Sequence, residues 1–341
     1  MKTCANDLPV EIWLSIFSYF EVHELFQSFT NINNYFDRLL NSDHLLFCLR
    51  LSENDQDIFI RTKLNRVWYL QSTLWHLTKG FPEFIHHQLN QLIRLRSLKI
   101  HISSLQTNLL SKTLKILPSL EYLSLRCEMT NELFTSILSV STLRVVHLEL
   151  YKSSYQSIIY NSHQSNNLQA LYMNISVQSD YLILNLLLLH LLELKHLELF
   201  HYDYGCNDST ISFLHQSIVF SNLRIVKLKW NFRYMQKDIF EQLRKIMPKL
   251  KRLSLDIYCH YLNEHFFSYL IDYWWFTFIE IEHIHIAIRG YSDFPDIHLD
   301  DQRKKLKSYR ENFLSRNQRY KLTWQQPHLS HMMIHIEISM C

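Results

Sequence analysis

Leucine and other aliphatic residues recur along most of the chain in the pattern L-x-x-L-x-L, eight times in succession. The first positions of the eight copies are Leu95, Leu120, Leu143, Leu168, Leu194, Leu223, Leu250 and Ile281. Successive copies lie 23 to 31 residues apart. Apolar residues that alternate with polar ones are typical of a strand with one buried face. Recurrence at this period indicates a repeat architecture, so the sequence predicts eight short strands in stacked, equivalent units.

Between the predicted strands, apolar residues follow the 3.6-residue period of a helix. The segments concerned are residues 105–117, 131–140, 155–161, 180–192, 210–220, 237–247 and 264–276. Pro118 and Pro248 stand shortly before strands, where a proline would end the preceding helix. One strand and one returning helix per repeat place the strands parallel and side by side. We expect a curved β/α solenoid with strands inside and helices outside.

Residues 8–40 carry a different pattern, with three short apolar runs at helical spacing. Pro9 and Glu11 suit the first turn of a helix, because proline lacks only an N–H that this turn leaves unpaired and a carboxylate complements the helix dipole. The runs are Ile12, Trp13, Ile16, Phe17 and Phe20, then Val22, Leu25, Phe26 and Phe29, then Ile32, Phe36, Leu39 and Leu40. Three helices this short bury too little surface to fold alone. We therefore expect the segment to complete its core against another surface.

Residues 8–20, LPVEIWLSIFSYF, resemble the opening of an F-box, whose usual pattern is L-P-x-E-[IL]-x-x-x-I-[FL]-x-[YF]-[LF]. Leu25, Phe29 and Phe36 fit later apolar positions of the same family. The strand pattern resembles the leucine-rich repeats that are attached to many F-boxes. The resemblance implies an α/β fold class, with an N-terminal helical F-box followed by a curved leucine-rich-repeat β/α solenoid.

The resemblance also implies a function, that of the substrate-recognition subunit of a Skp–cullin–F-box ubiquitin ligase in ubiquitin-dependent protein degradation. Such a subunit catalyses nothing itself. It binds a Skp-type adaptor, which joins it to a cullin scaffold, and it binds a target protein that the sequence does not identify. The adaptor-binding residues that the resemblance implies are Leu8, Pro9, Glu11, Ile12, Ile16, Phe17, Phe20, Leu25, Phe29 and Phe36.

A second function stays open from the sequence. The chain would then be a non-catalytic leucine-rich-repeat interaction scaffold whose F-box-like head does not recruit a ligase. This alternative rests on Asn33 and Asn34, which stand where the family commonly has a cysteine and a basic residue before the last aromatic position.

The patterns divide the chain into four parts. These are an F-box over 1–50, a connector over 51–90, a solenoid of about eight irregular repeats over 91–290, and a cap over 291–341. Within the cap, residues 300–314 predict an exposed amphipathic helix. Residues 320–324 and 332–339 alternate as a closing pair of strands would, which would shield the last open edge of the solenoid.

Charge and cysteine usage limit the kinds of binding partner and the cell compartment that we expect. The 35 basic and 32 acidic residues leave a net charge of +3, too small to indicate nucleic-acid binding. The six cysteines include no C-x-x-C pair, which suits reduced thiols in the cytoplasm, with the nucleus as the alternative. The opening residues lack an apolar h-region, so no signal peptide is expected. The apolar run at 181–194 has 14 residues. A bilayer needs ~20, so we expect no membrane partner.

Signs of enzyme chemistry are weak. Three widely separated glycines exclude G-x-G-x-x-G, Walker and G-x-S-x-G sequences. His283 and His285 share one face of a predicted strand, but no cysteine or carboxylate stands at ligand spacing and H-E-x-x-H is absent. A Ser-His-Asp arrangement assembled in space has no local signature here. We expect no cofactor, no metal ion and no catalytic residue.

The polar positions between the inward-facing leucines predict a surface for a target protein. The target-binding candidates on this surface are Tyr122, Arg126, His147, Tyr172, His196, Lys227, Lys229 and Arg252. Such a mixture of aromatic, histidine and charged side chains is common at interaction surfaces. Lys227, Lys229 and Arg252 form a basic cluster that suits an acidic or phosphorylated partner. Glu198 and Asp256 stand at equivalent positions of neighbouring repeats and would neutralise the cluster if they paired with it.

Overall fold

The structure is a computed structural model of the 341-residue chain. It describes residues 8–42, 45–51, 66–72, 91–102, 107–150, 167–175, 184, 187–188, 191, 193–201, 219–232, 245–259, 281–291, 304, 307–308, 311, 320–325 and 333–340. The chain divides into two compact units, Met1–Asn167 and Leu168–Cys341. This division falls within the repeat region. It leaves the predicted domain boundaries at residues 50, 90 and 290 as predictions.

The first unit opens with three short helices, α1 Val10–Phe17, α2 Val22–Phe29 and α3 Asn34–Leu40, which together we call the head. Pro9 is the N-cap of α1 rather than its first helical residue, because its ψ of 146° is extended. Its carbonyl accepts hydrogen bonds from the amides at positions 12 and 13, at 3.1 and 3.3 Å. Glu11 lies in the first turn, as the sequence predicts.

The polar break between the second and third apolar runs is the cap of α3. The side-chain oxygen of Asn33 accepts hydrogen bonds from the amides of Tyr35 and Phe36, both at 3.0 Å. Such a cap satisfies donors that the first helical turn leaves without intrahelical partners. Ile32 therefore lies outside the helix, and it is exposed.

Aromatic rings fill the core of the head. The rings of Trp13 and Phe36 meet edge to face with centroids 4.7 Å apart, and those of Phe17 and Phe29 lie 4.9 Å apart. The predicted stripe through Phe20 is shorter than expected, because α1 ends at Phe17. Phe20 follows the helix and packs edge to face against Phe29 at 5.7 Å.

The head packs against the strands that follow it in the same unit. Phe26 of α2 lies 5.8 Å from Phe47 between ring centroids. Arg66 is 1% exposed and donates from Nη1 to the carbonyl oxygens of Leu40 at 3.0 Å and Ser42 at 2.5 Å. This packing agrees with the expectation that the three helices complete their core against another surface.

Five parallel strands follow in the first unit: β1 Phe47–Leu51, β2 Val67–Ser72, β3 Ser97–His101, β4 Tyr122–Cys127 and β5 Val145–Leu150. Each pairs with the next in chain order. Helix α4, Thr107–Leu114, joins β3 to β4, and helix α5, Asn131–Ser139, joins β4 to β5. Strands β1 and β2 extend the parallel sheet beyond the repeats that the sequence predicts.

The second unit holds five parallel strands and an antiparallel pair. The parallel strands are β6 Ala170–Ile175, β7 His196–His201, β8 Ile225–Phe232, β9 Arg252–Cys259 and β10 His283–Tyr291. Strand β12, Met333–Met340, runs antiparallel beside β10, and β11, Tyr320–Gln325, pairs with β12. The closing strand pair predicted for the cap is therefore confirmed.

The repeat pattern explains the strands. All eight anchor residues are at most 7% exposed. Each strand begins two residues after its anchor, and β4 and β5 alternate buried and less buried positions throughout. The connecting helices bury the apolar side facing the sheet, including Leu133, Phe134 and Ile137 of α5. The result is a mixed α/β fold whose parallel strands and returning helices resemble those of a leucine-rich-repeat solenoid.

Several predicted helices lie wholly or mostly outside the described residues. Those predicted over 155–161 and 264–276 lie wholly outside them, and those over 180–192, 210–220, 237–247 and 300–314 are described at only a few positions. None of the helices in the described part of the chain has the length and hydropathy that crossing a bilayer requires.

Candidate functional site

The head presents an apolar side that does not contribute to its core. Leu8, Val10 and Ile12 are 40%, 42% and 47% exposed, whereas Trp13 and Phe17 are buried. Helical geometry produces this division, because residues one apart are turned by about 100° and residues four apart lie on one face. Helix α1 therefore buries the stripe of Trp13 and Phe17 and leaves other apolar side chains, at its amino-terminal end, open to solvent.

The segment before α1 is held in place. The hydroxyl of Tyr35 in α3 donates a hydrogen bond to the carbonyl oxygen of Leu8 at 3.0 Å. Together with the Pro9 cap, this contact fixes the path by which the chain enters the helix. We use the name exposed side of α1 for the three open apolar side chains at its amino-terminal end, Leu8 just before the helix and Val10 and Ile12 within it. The chain path through this surface is preorganised.

The predicted adaptor-binding residues fall into three groups by exposure. Leu8, Pro9, Glu11 and Ile12 are exposed; Ile16, Phe20 and Phe29 are half-buried; and Phe17, Leu25 and Phe36 are buried. The last group belongs to the core of the head, while the first is open to a partner. Val10 was missed, because it occupies a variable position of the F-box pattern, although its apolar side chain marked it as a candidate.

Within each unit, equivalent positions of neighbouring repeats lie side by side on paired strands, as predicted. In the first unit Tyr122 pairs with Val145, Ser124 with His147, and Arg126 with Glu149. The rings of Tyr122 and His147 lie 5.2 Å apart, and Arg126 Nε lies 3.2 Å from Glu149 Oε1. Both charged side chains are nearly half exposed, so this ion pair adds little stability.

Strand β2 extends this surface by two residues that sequence analysis did not select. Tyr69 pairs with Ser97 and Gln71 with Lys99. The Tyr69 hydroxyl donates to Gln71 Oε1 at 2.7 Å. The signal that marked them was the short run VWYLQS, which alternates as a strand but lacks the full leucine pattern.

Acid should destabilise the first unit through His101. Burial, followed by the charge of Arg126, lowers the pKa of His101 from 6.5 to about 4. An unfolded chain takes up this proton at the ordinary value. The folded state therefore loses relative stability as the pH falls from 6.5 to about 4 and is unaffected by this group above 6.5.

The variant His101→Gln removes this titration. The difference in Tm between variant and wild type should move in the variant's favour by on the order of 2 °C between about pH 7.5 and about pH 4.5. Differential scanning calorimetry of both proteins measures it. A difference in Tm that stays constant across that range would contradict the lowered pKa.

A connected polar cluster occupies the strand face of the second unit. The Tyr172 hydroxyl and His196 Nδ1 lie 3.2 Å apart, and the two rings meet edge to face at 4.9 Å. On the other side of the ring, His196 Nε2 lies 3.6 Å from Glu198 Oε2. Lys227 Nζ lies 3.2 Å from the same carboxylate oxygen. Glu198 is buried, and it holds the cluster together.

The charges of this cluster act on His196 in opposite directions. Burial has the largest effect and lowers the pKa of His196, with Glu198 raising it and Lys227 lowering it. The lowered pKa favours the neutral ring, which suits the 3.2 Å contact between its Nδ1 and the Tyr172 hydroxyl.

The predicted basic cluster is partly neutralised. Lys227 pairs with Glu198, and Lys229 stands opposite Asp256 in the register between β8 and β9. Arg252 is exposed at the start of β9. Glu198 therefore offsets the charge of Lys227, and anion binding by the three cations stays a prediction. The sequence left open whether Glu198 and Asp256 neutralise the basic cluster, and the structure shows that Glu198 pairs with Lys227.

Across the described ranges, no three His, Cys, Asp or Glu side chains stand close enough to hold one ion. The surfaces that the structure does present are an exposed apolar side on the head and mixed polar strand faces in each unit. Such surfaces are typical of repeat proteins that act as protein-interaction scaffolds.

Comparisons with known proteins find likenesses among solved structures only. No family model matches the sequence, and no curated protein matches it significantly. Among solved structures, the chain is similar to the crystal structure of a TLR13–ssRNA13 complex, with 17% sequence identity and a TM-score of 0.39. The likeness covers 74% of this chain and 37% of that one, so the chain spans well under half the length of this neighbour.

Proposed function

We propose that this chain is the non-catalytic substrate receptor of a Skp–cullin–F-box ubiquitin ligase, acting in the cytoplasm or nucleus. The observation that carries the proposal is the exposed side of α1, which remains apolar although the head beneath it is already packed. The F-box-like sequence of residues 8–20 supplies the identity of the expected partner, a Skp-type adaptor.

Burial of the exposed side of α1 would drive binding of the adaptor. Full burial of a leucine or isoleucine side chain is worth about 1.5–3 kcal/mol. Two-fifths to half of Leu8, Val10 and Ile12 is still open to solvent, so docking would return about 1 kcal/mol from each. The Pro9 cap and the Tyr35 hydrogen bond reduce the ordering cost of binding, because the surface is already in place.

The strand faces supply the second half of the proposed function. The clusters around Tyr122 and His147 in the first unit, and around Tyr172 and His196 in the second, combine aromatic and charged groups. Tyrosine is among the residues that contribute most to protein recognition, and charged groups at the rim of an interface add specificity. A receptor of this kind contributes proximity and orientation to a separate ubiquitin-charged enzyme.

Coexpression with a Skp-type adaptor and a cullin tests the proposal. We expect the intact chain to elute with both in one complex on gel filtration, with one adaptor per chain. An established F-box protein serves as the positive control. If that control assembles and the intact chain elutes alone, the receptor function is lost.

One observation favours the scaffold alternative. Asn33 is engaged as the cap of α3 through two backbone hydrogen bonds, so a position near the last aromatic of the F-box pattern serves the fold. In a scaffold the strand faces bind partners without an adaptor. Partner capture that persists while the coexpression complex fails to form would establish this function instead.

A further inference from the structure

The residue immediately before each parallel strand of the second unit, β6 to β10, belongs to a row along the amino-terminal edge of those strands. We call this the edge row: Gln169, Lys195, Arg224, Lys251 and Glu282. Backbone hydrogen bonds link its neighbours in turn, each amide donating to the preceding member's carbonyl at 2.8 or 2.9 Å. Adjacent members therefore lie about 4.8 Å apart, the spacing of paired strands.

Three adjacent members of the edge row are cations with exposed side chains. Lys251 forms an exposed ion pair with Glu282 at the end of the row. Lys195 and Arg224 make no ion pair within the described residues. Like charges on neighbouring strands repel one another, so this arrangement costs stability unless an anion covers it.

The turns that lead into β8 and β9 extend this surface. The amide of Phe220 donates to the carbonyl of Ile246 at 2.6 Å, which places the two turns side by side. The second turn carries exposed Lys249, and the first carries Val219, whose apolar side chain is also exposed. The amino-terminal edge of these strands thus combines several cationic side chains with one exposed apolar side chain.

We propose that the edge row of the second unit binds an acidic segment of a partner protein in helical form. Carboxylates at i, i+3 or i+4, and i+7 of a helix recur every 4.5–6 Å or so along its axis, which matches the strand spacing of about 4.8 Å. An apolar residue on the same helix side would meet Val219. This proposal goes beyond the receptor function, because it holds whether or not the head recruits an adaptor.

A protein segment fits better than a nucleic acid. The cationic stretch spans three strands, or about 10 Å, which is short for a phosphate backbone track. The whole chain has a net charge of +3 and a pI of 8.4, well below what a nucleic-acid-binding domain usually shows.

Fluorescence anisotropy on the full chain tests the proposal. The probe is a labelled alanine-based helix with glutamates along one face, and its control carries glutamine at the same positions. The glutamate peptide should bind and the glutamine peptide should not. Raising the salt from ~0.1 to ~1 M shortens the Debye length from ~10 to ~3 Å and should abolish binding.

Two sets of variants locate the site. The triple variant Lys195→Gln, Arg224→Gln, Lys251→Gln should weaken binding by about tenfold, and Arg224→Gln alone by about threefold. The matched control Lys112→Gln, Lys115→Gln, Arg144→Gln changes the net charge equally at exposed sites of the first unit and should leave the affinity unchanged. The single variant keeps the test valid should the triple variant fold poorly.

Three outcomes would overturn the proposal. They are equal binding by the edge variants and the wild type, equal weakening in the matched control, and tighter binding of a single-stranded oligonucleotide of the same charge than of the glutamate peptide. Adaptor binding by the head is measured in a separate experiment. A failure of the edge-row proposal can therefore be distinguished from a failure of the receptor function.

Discussion

Replacing Arg66 with methionine should lower the free energy of unfolding by about 3–5 kcal/mol, the largest effect we expect from a single substitution. The guanidinium is buried, donates to the carbonyls of Leu40 and Ser42 at the end of α3, and lies 4.7 Å over the ring of Phe47. Methionine keeps much of the volume and leaves the two carbonyls without this donor. A cation at a helix C-terminus also interacts favourably with the helix dipole.

Denaturant unfolding of the full chain, followed by tryptophan fluorescence, measures this loss. Arg66→Lys is the matched comparison, because it keeps the charge but cannot reproduce the planar guanidinium fork, and it should cost an intermediate amount. A loss below about 1 kcal/mol for Arg66→Met would show that Arg66 does not join the head to the first strands.

Truncating the exposed side of α1 should have the largest effect on function. The double variant Leu8→Ala, Ile12→Ala should weaken binding of a Skp-type adaptor by about 2 kcal/mol, or roughly 30-fold in Kd. Both side chains are 40% or more exposed in the free chain, so the variant should keep the wild-type Tm within a few degrees.

Isothermal titration calorimetry with purified adaptor measures this change in Kd. Ile116→Ala is the control, because Ile116 is 45% exposed, close to the 47% of Ile12, and lies between α4 and β4. The control should bind like the wild type. A double variant that binds as tightly as the control would mean that the exposed side is not the docking surface.

Sequence periodicity predicted most of the repeat fold because the inward-facing leucines determine both burial and register. The anchors from Leu95 to Ile281 all precede strands, and within each unit these strands pair in the register that the repeat pattern predicted. Strands β1 and β2 were missed for a physical reason. The run Val67, Leu70 and Ser72 ends in a polar residue where the pattern has a leucine, and β1 pairs with β2 across a register shift.

In the head, sequence periodicity does not suffice to predict which apolar side chains are buried. The helical spacing identified Ile12 and Trp13 equally as apolar positions of α1. Only tertiary packing decides that Trp13 turns into the core while Ile12 stays exposed. The end of α1 at Phe17 is likewise set by packing, since Phe20 packs against Phe29 from outside the helix.

Charge pairing was predictable only in part. The spacing placed Lys227 and Glu198 in one column, and the register confirms that they face each other. The edge row was overlooked because its members stand just before the strands, outside the alternation that reveals the strand face. Its signal, a basic residue after three successive anchors, was present at Lys195, Arg224 and Lys251.

Hydrogen exchange of the intact chain, with and without a saturating Skp-type adaptor, tests the central claim most directly. The exposed side of α1 is predicted to be the docking surface, so amides of residues 8–19 should exchange more slowly in the presence of the adaptor. Strands β3 to β5 should be unchanged. No slowing in residues 8–19 at adaptor concentrations that protect an established F-box protein, or slowing confined to the strands, would contradict the account.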